Sequence, residues 1–289
     1  YYDHEEREFR GFGLVEQTDT ETYEQWVRGE DGRILDRKLH QDPVVIKHWF
    51  HTGAASDSDR IHDPYAGEYW HEALAGHGYA DIRPEPRLPE SKLVPGQGSD
   101  DDMIRKLSPQ ERREALRACK GMAFHSETFA YDAPLSGAEP VQIKRQLIPH
   151  STESSNWTVE LLQPQGQNKH AVFFVKESET LACSYERDAN DPRIAHTLNI
   201  KQDEYGHVLE SVTVIYPRIH AAGSLPVETR KAQGTARVTY SLNRYTNDID
   251  TDDAYRLRLP AEAKTFEVKG VVPSGELYSI RDFEQVLSE

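Results

Sequence analysis

The chain has 289 residues, a net charge of −15 and a mean hydropathy of −0.75, and it carries four Trp, 14 Tyr and nine Phe. That length is enough for one large domain or two ordinary ones with a real core, and the aromatic content argues against disorder. The acidic balance excludes a nucleic-acid surface, and no run approaches the ~18 apolar residues of a membrane span.

The opening segment, "YYDHEEREFRGFGLVEQ", is dense in charge and aromatics. Its alternating charges suit cross-strand pairing, and Arg7 and Arg10 are expected to be held by local carboxylates rather than by a ligand. "DPVVIKHWFHTG" reads as a strand between Pro43 and Gly53. The next stretch, about residues 53–107, is rich in Pro, Gly and Asp and reads as a long loop excursion. "LSPQERREALRACKG" is the one clear helix, about 108–120. Ser108 is its N-cap, Pro109 sits at N1 and Glu111 closes a capping box, with Gly121 beyond its end. "NWTVELLQP" and the short run Ala171–Val175 are strands. "IAHTLNIKQDEYGHVLESVTVIYPR" is a hairpin with strands over 194–202 and 208–216, and Gly206 supplies the positive φ of its turn. "TARVTYSLNRYT" and "AKTFEVKGVV" are two more strands, and a second helix starts at "IRDFEQVLSE". The fold class is mainly β, with long antiparallel strands and hairpins.

Motifs that could carry chemistry are weak. His62, His71 and His77 gather near Glu72, but a zinc-hydrolase helix needs H-E-x-x-H, and Ala75 stands where the second His belongs. Asp248, Asp250 and Asp252 have the first spacings of a calcium loop, yet Asp253 replaces its Gly and Leu259 its final Glu. The ordinary reading is a turn whose side chains bond their own backbone. Cys119 and Cys183 lack metal or redox spacing and read as buried thiols. No cofactor is expected. Tyr65, Tyr69, Trp70 and Tyr79 either pin the loop 65–79 to the sheet or present a glycan- or protein-binding surface.

Beyond these motifs, "YYDHEEREFRGFGLVEQTDTE" closely resembles a signature of the B component of bacterial Tc (toxin complex) insecticidal toxins. The resemblance continues through "WFHTGA", "ALRACKGMAFHSETFAYD", "TVELLQPQGQNKHAVFFV" and "SYERDANDPRIAHTLNI". It extends through "DEYGHVLESVTVIYPR", "NRYTNDIDTDDAYRLRLP" and "PSGELYSIRDF". The match is to the middle and C-terminal region, so the chain is expected to be a piece of a longer protein. Residues 1–20 would end the preceding region and 21–289 would be the shell segment.

The resemblance implies a curved wall segment of a YD-repeat (Rhs-type) hollow shell, which encloses the toxic C-terminal region of a C partner. Contact with the pore-forming A component would lie in parts of the parent outside this segment. It implies no catalytic residue here, because the self-cleaving site belongs to the C partner. The complex would be made in the cytoplasm and released as an extracellular toxin, although this segment shows no export signal. The alternatives are a surface binding module built on the aromatic loop 65–79 and a metal-dependent enzyme at His62, His71 and His77.

Overall fold

A computed structural model of the chain describes residues 1–4, 7–20, 23, 41–54, 65–79, 82–96, 101–133, 137–220 and 223–287. The chain divides into two compact units, Tyr1–Lys176 with Ala182–Pro192, and Glu177–Leu181 with Arg193–Glu289.

The first unit opens with a small antiparallel hairpin, Tyr2–Asp3 (β1) against Glu8–Phe9 (β2). Arg10 is buried beneath it at 4% exposure, and its Nε donates to Asp3 Oδ2 at 2.9 Å. A guanidinium this buried needs such a partner, so the local clamp expected for Arg10 is present. Arg7 is exposed, with a left-handed φ of 55°. Leu14–Thr18 (β3) pairs with Val44–Phe50 (β4). Between them and the next strands lie Trp70–Gly76 (α1), Lys92–Pro95 (β5) and Asp101–Arg105 (α2).

Pro109–Ala118 (α3) then forms with the predicted capping box. Ser108 Oγ accepts from Glu111 N at 3.2 Å, and Ser108 N donates to Glu111 Oε2 at 2.9 Å. Ala123–Ala130 (β6), Pro140–Gln146 (α4) and Ser151–Gln163 (β7) follow, and Val172–Ser184 (β8) is shared, its middle, Glu177–Leu181, counting with the second unit. The helix α3 grips the connection between β7 and β8. Glu111 Oε1 accepts from Gln165 N at 2.9 Å, and Glu114 accepts from Ala171 N at 2.7 Å. Its apolar face buries Ala115, Leu116 and Cys119 against Val159 of β7. Burial pushes the Cys119 and Cys183 thiols up to about 12, so both stay protonated and unreactive at neutral pH.

The second unit is built on Arg193–Gln202 (β9) and Val208–Ile215 (β10), a hairpin whose bounds match the sequence reading within one residue. Gly206 takes φ 84° in its turn. Val227–Gln233 (α5), Arg237–Tyr245 (β11), Ile249–Thr251 (β12), Ala254–Arg256 (β13), Pro260–Val268 (β14) and Ile280–Leu287 (α6) follow. Register places Leu198 opposite Val212, and Val214 opposite both His196 and Val238. These inward residues form a core with Tyr278 and Phe283, and Phe283 is fully buried. Ser279 fixes the start of α6, its N–H donating to Asp282 Oδ2 at 2.7 Å.

Ten strands lie in one sheet that does not close, in the order β14-β11-β10-β9-β8-β7-β6-β4-β3, with β5 added on β7. The pairs β3–β4, β4–β6, β6–β7, β9–β10, β10–β11 and β11–β14 are antiparallel, whereas Lys92–Pro95 of β5 runs parallel to Thr158–Leu161 of β7. The sequence reading also expected one clear helix plus a C-terminal one. The described residues add α1, α2, α4 and α5, each of five to seven residues. Among the described residues no helix is long and apolar enough to cross a membrane.

Phe283→Ala removes the largest apolar side chain that α6 contributes to its core. The expected loss is about 3–5 kcal/mol in denaturant unfolding, with a smaller loss for Phe283→Leu.

Candidate functional site

Three polar assemblies organise the units, two buried and one partly exposed, and none is visible as a sequence motif. In the first unit, β6 and β7 place His125 directly opposite Ser154. His125 Nδ1 lies 2.7 Å from Ser154 Oγ, and Nε2 lies 3.2 Å from Glu127 Oε1. Glu127 follows His125 by two positions, so both project from one face of the strand. Hydroxyl, imidazole and carboxylate in contact are the parts of a nucleophile relay. Here they lie under α1: Trp70 N donates to the same Glu127 oxygen at 2.7 Å, and Tyr69 stacks on His125 with ring centroids 3.9 Å apart. His125 is 3% and Glu127 1% exposed, so the line anchors the start of α1 to the sheet.

That anchoring decides where the candidate aromatics stand. Tyr69 and Trp70 are buried, Tyr69 edge-on to Trp49 and Trp70 edge-on to Tyr185. Trp70 Nε1 donates to Glu85 Oε2 at 3.0 Å. Tyr79 is half-buried under the Lys144 ammonium, 4.9 Å from its ring. Tyr65 is also half-buried, and its hydroxyl fills the space where a Cβ on Gly13 would stand. A side chain at position 13 would therefore require the Tyr65 ring to move. Nearby, burial lowers His51 to about 4, and its neutral Nδ1 accepts from Gly53 N at 2.8 Å.

Of the candidate metal ligands, His71 sits in the first turn of α1 and His77 at its end. His62 lies outside the described residues. No group of three or more His, Cys, Asp or Glu is placed to hold a metal ion among the described residues.

In the second unit, the β9–β10 turn is stitched to the loop that carries Asp248. Asp203 accepts from Tyr205 N at 2.9 Å and from His207 N at 2.8 Å, and its other oxygen takes His207 Nδ1 at 2.9 Å. Arg258 reaches that same oxygen at 3.0 Å and lies over the Tyr205 ring, 4.5 Å from its centroid. The Arg258 side chain also meets Asp248 Oδ2 at 2.7 Å and Glu204. Its hydrogen bonds hold the Asp248 carboxyl below the usual carboxylate range. Asp248 is thus occupied by a guanidinium, while Asp250 lies in β12 and Asp252 in the exposed β12–β13 turn. A further buried chain runs from Glu179 to His196 Nε2 at 3.0 Å, and from His196 Nδ1 to the Tyr216 hydroxyl at 3.2 Å. Tyr278 N donates to that hydroxyl at 2.8 Å, which ties the approach to α6 into the sheet.

The family described as the insecticide toxin TcdB middle/C-terminal region matches residues 114–259. The chain belongs to this family. Among solved structures it is similar to a TcdB2-TccC3 crystal structure at 20% identity and a TM-score of 0.61. That likeness covers 100% of this chain and 13% of that one. A Photorhabdus luminescens Tc holotoxin pore is similar at 22% identity and a TM-score of 0.60, over 100% of this chain and 12% of that one. At such identities the likeness is one of fold, and the chain spans only about an eighth of those chains. None of the curated proteins matches it. The matched part of this TcdB region takes in the Ser154–His125–Glu127 line and the Arg258 latch, whereas Tyr69, Trp70 and β14 lie outside it.

The latch depends on a planar fork that touches three carboxylates at once, which an ammonium does not reproduce. Arg258→Ala and Arg258→Lys are both expected to speed amide exchange at Tyr205 and His207 while leaving exchange at Leu198 and Val212 unchanged. Native-state hydrogen exchange checks this.

Proposed function

We propose that this chain is a wall segment of a toxin-complex B component, whose sheet joins that of a C partner to seclude the partner's toxic C-terminal region. The role is structural. Volume and isolation keep a partly folded cargo from aggregating, from proteases and from acting in the cell that makes it. The reading rests on family membership together with one physical observation, the open sheet. β3 pairs only with β4 and β14 only with β11, so each has an outer edge without a strand partner among the described residues. All five residues of β3 are exposed, as is β14 from Pro260 to Glu267. Long exposed edges invite uncontrolled pairing, and a wall that continues on both sides removes them.

The assembled parts of this reading follow from the same premise. The C component supplies the remainder of the enclosure and the cargo. Contact with the A component belongs to parts of the parent protein outside this segment, and the assembly acts outside the producing cell. No catalytic step is assigned to the chain.

In the full-length protein with its C partner, amide exchange on the outer edges of β3 and β14 is expected to be as slow as on β9 and β10. Solvent-like exchange at those edges, with β9 and β10 protected, would contradict a continuing wall.

A further inference from the structure

A cavity of about 330 Å³ opens in the first unit between α4 and the turn that follows β8. Its volume is at the lower end of ligand pockets, roughly 300–1,000 Å³. The walls combine apolar side chains, Ile82, Val141 and Ile148, with three cations, Lys144, Arg145 and Arg187, against one lining carboxylate, Asp188. Arg187 is paired with Asp132, so Lys144 and Arg145 carry the pocket's excess positive charge, on a chain of net charge −15. The wall reading makes no use of it.

Arg187 is built into place. Glu186 and Arg187 both carry left-handed φ values, 49° and 66°. Two successive non-glycine residues in that region are strained, which points to a positional requirement. The Arg187 side chain is only 4% exposed. Its terminal nitrogens are committed: Nη1 and Nη2 donate to the two Asp132 oxygens at 2.7 and 2.8 Å, and Nη2 also donates to Ala130 O at 2.6 Å. Nε is buried and has no acceptor among the described residues. Held this way by Asp132, Arg187 is a fixed part of the pocket wall.

We propose that this pocket binds a small carboxylate with an apolar body. The carboxylate would pair with Lys144 and Arg145, and the body would lie against Ile82, Val141 and Ile148. A phosphate dianion fits less well. The bidentate face of Arg187 is already spent on Asp132, and Asp188 opposes a second negative charge.

Hexanoate is the probe, titrated by calorimetry into the full-length protein, with hexanol and hexylammonium as controls. Saturable binding of hexanoate with a Kd of about 1 mM or tighter, and none of either control, is expected. The paired substitution Lys144→Gln, Arg145→Gln lies in the last turn of a surface helix and should weaken binding about tenfold. Val141→Glu, at a 70% exposed wall position, should abolish it by adding a like charge. Equal binding of hexanol, no saturation at ~10 mM hexanoate, or an affinity unmoved by both variants would overturn the proposal.

Discussion

An unclosed β-sheet leaves a row of backbone N–H and C=O groups along each outer edge, and those groups need partners. Here the edges are β3 and β14, at the two ends of a ten-stranded order. The central strands spend their hydrogen bonds on neighbours, so the edges are where the fold remains incomplete as a free object. Small domains blunt such edges with prolines, bulges or a covering helix. β14 carries a proline and a bulge only at its start, Pro260 and the register shift beside it, and from Glu262 to Val268 it pairs without interruption on its inner side. A sheet of this kind is suited to being extended, which is the physical content of the wall reading.

In the strands and in α3, buried charge fixes the position of neighbouring elements. Glu127, Glu179, Glu111 and Glu114 are nearly excluded from solvent, and each would be costly without donors. Each has them, and at least one donor to each comes from outside its own element: Trp70 N for Glu127, His196 for Glu179, Gln165 N for Glu111 and Ala171 N for Glu114. Replacing any of them by an apolar residue would remove the desolvation cost and also the information about where the helix or turn docks. The sheet thereby fixes α1, and α3 fixes the β7–β8 connection, through directed hydrogen bonds as well as through area buried.

The same feature explains which elements were legible in the sequence. β9 and β10 alternate cleanly around a Gly turn, and α3 announces itself with Ser-Pro-x-Glu, so both were readable to within a residue or two. β6 was not. Its inward positions are His125, Glu127 and Phe129, so two of three break the hydropathy alternation although all are buried. β8 was read only over its first few residues, because Lys176 to Thr180 is polar although the strand continues to Ser184. The short helices α1 and α5 have no side-chain cap to signal them, and α4 uses a Glu cap. The parallel β5 depends on a partner more than sixty residues away, which local pattern does not encode. The His125–Glu127 and Asp203–Arg258 assemblies were hidden for the same reason. Their members are ordinary residues until the strand register brings them together.

The most direct test of seclusion uses the full-length protein co-expressed with its C partner and treated with protease. The account predicts that the partner's C-terminal region survives while the complex is intact and is digested once the complex is unfolded. Rapid digestion of that region in a complex whose B component remains folded would contradict it.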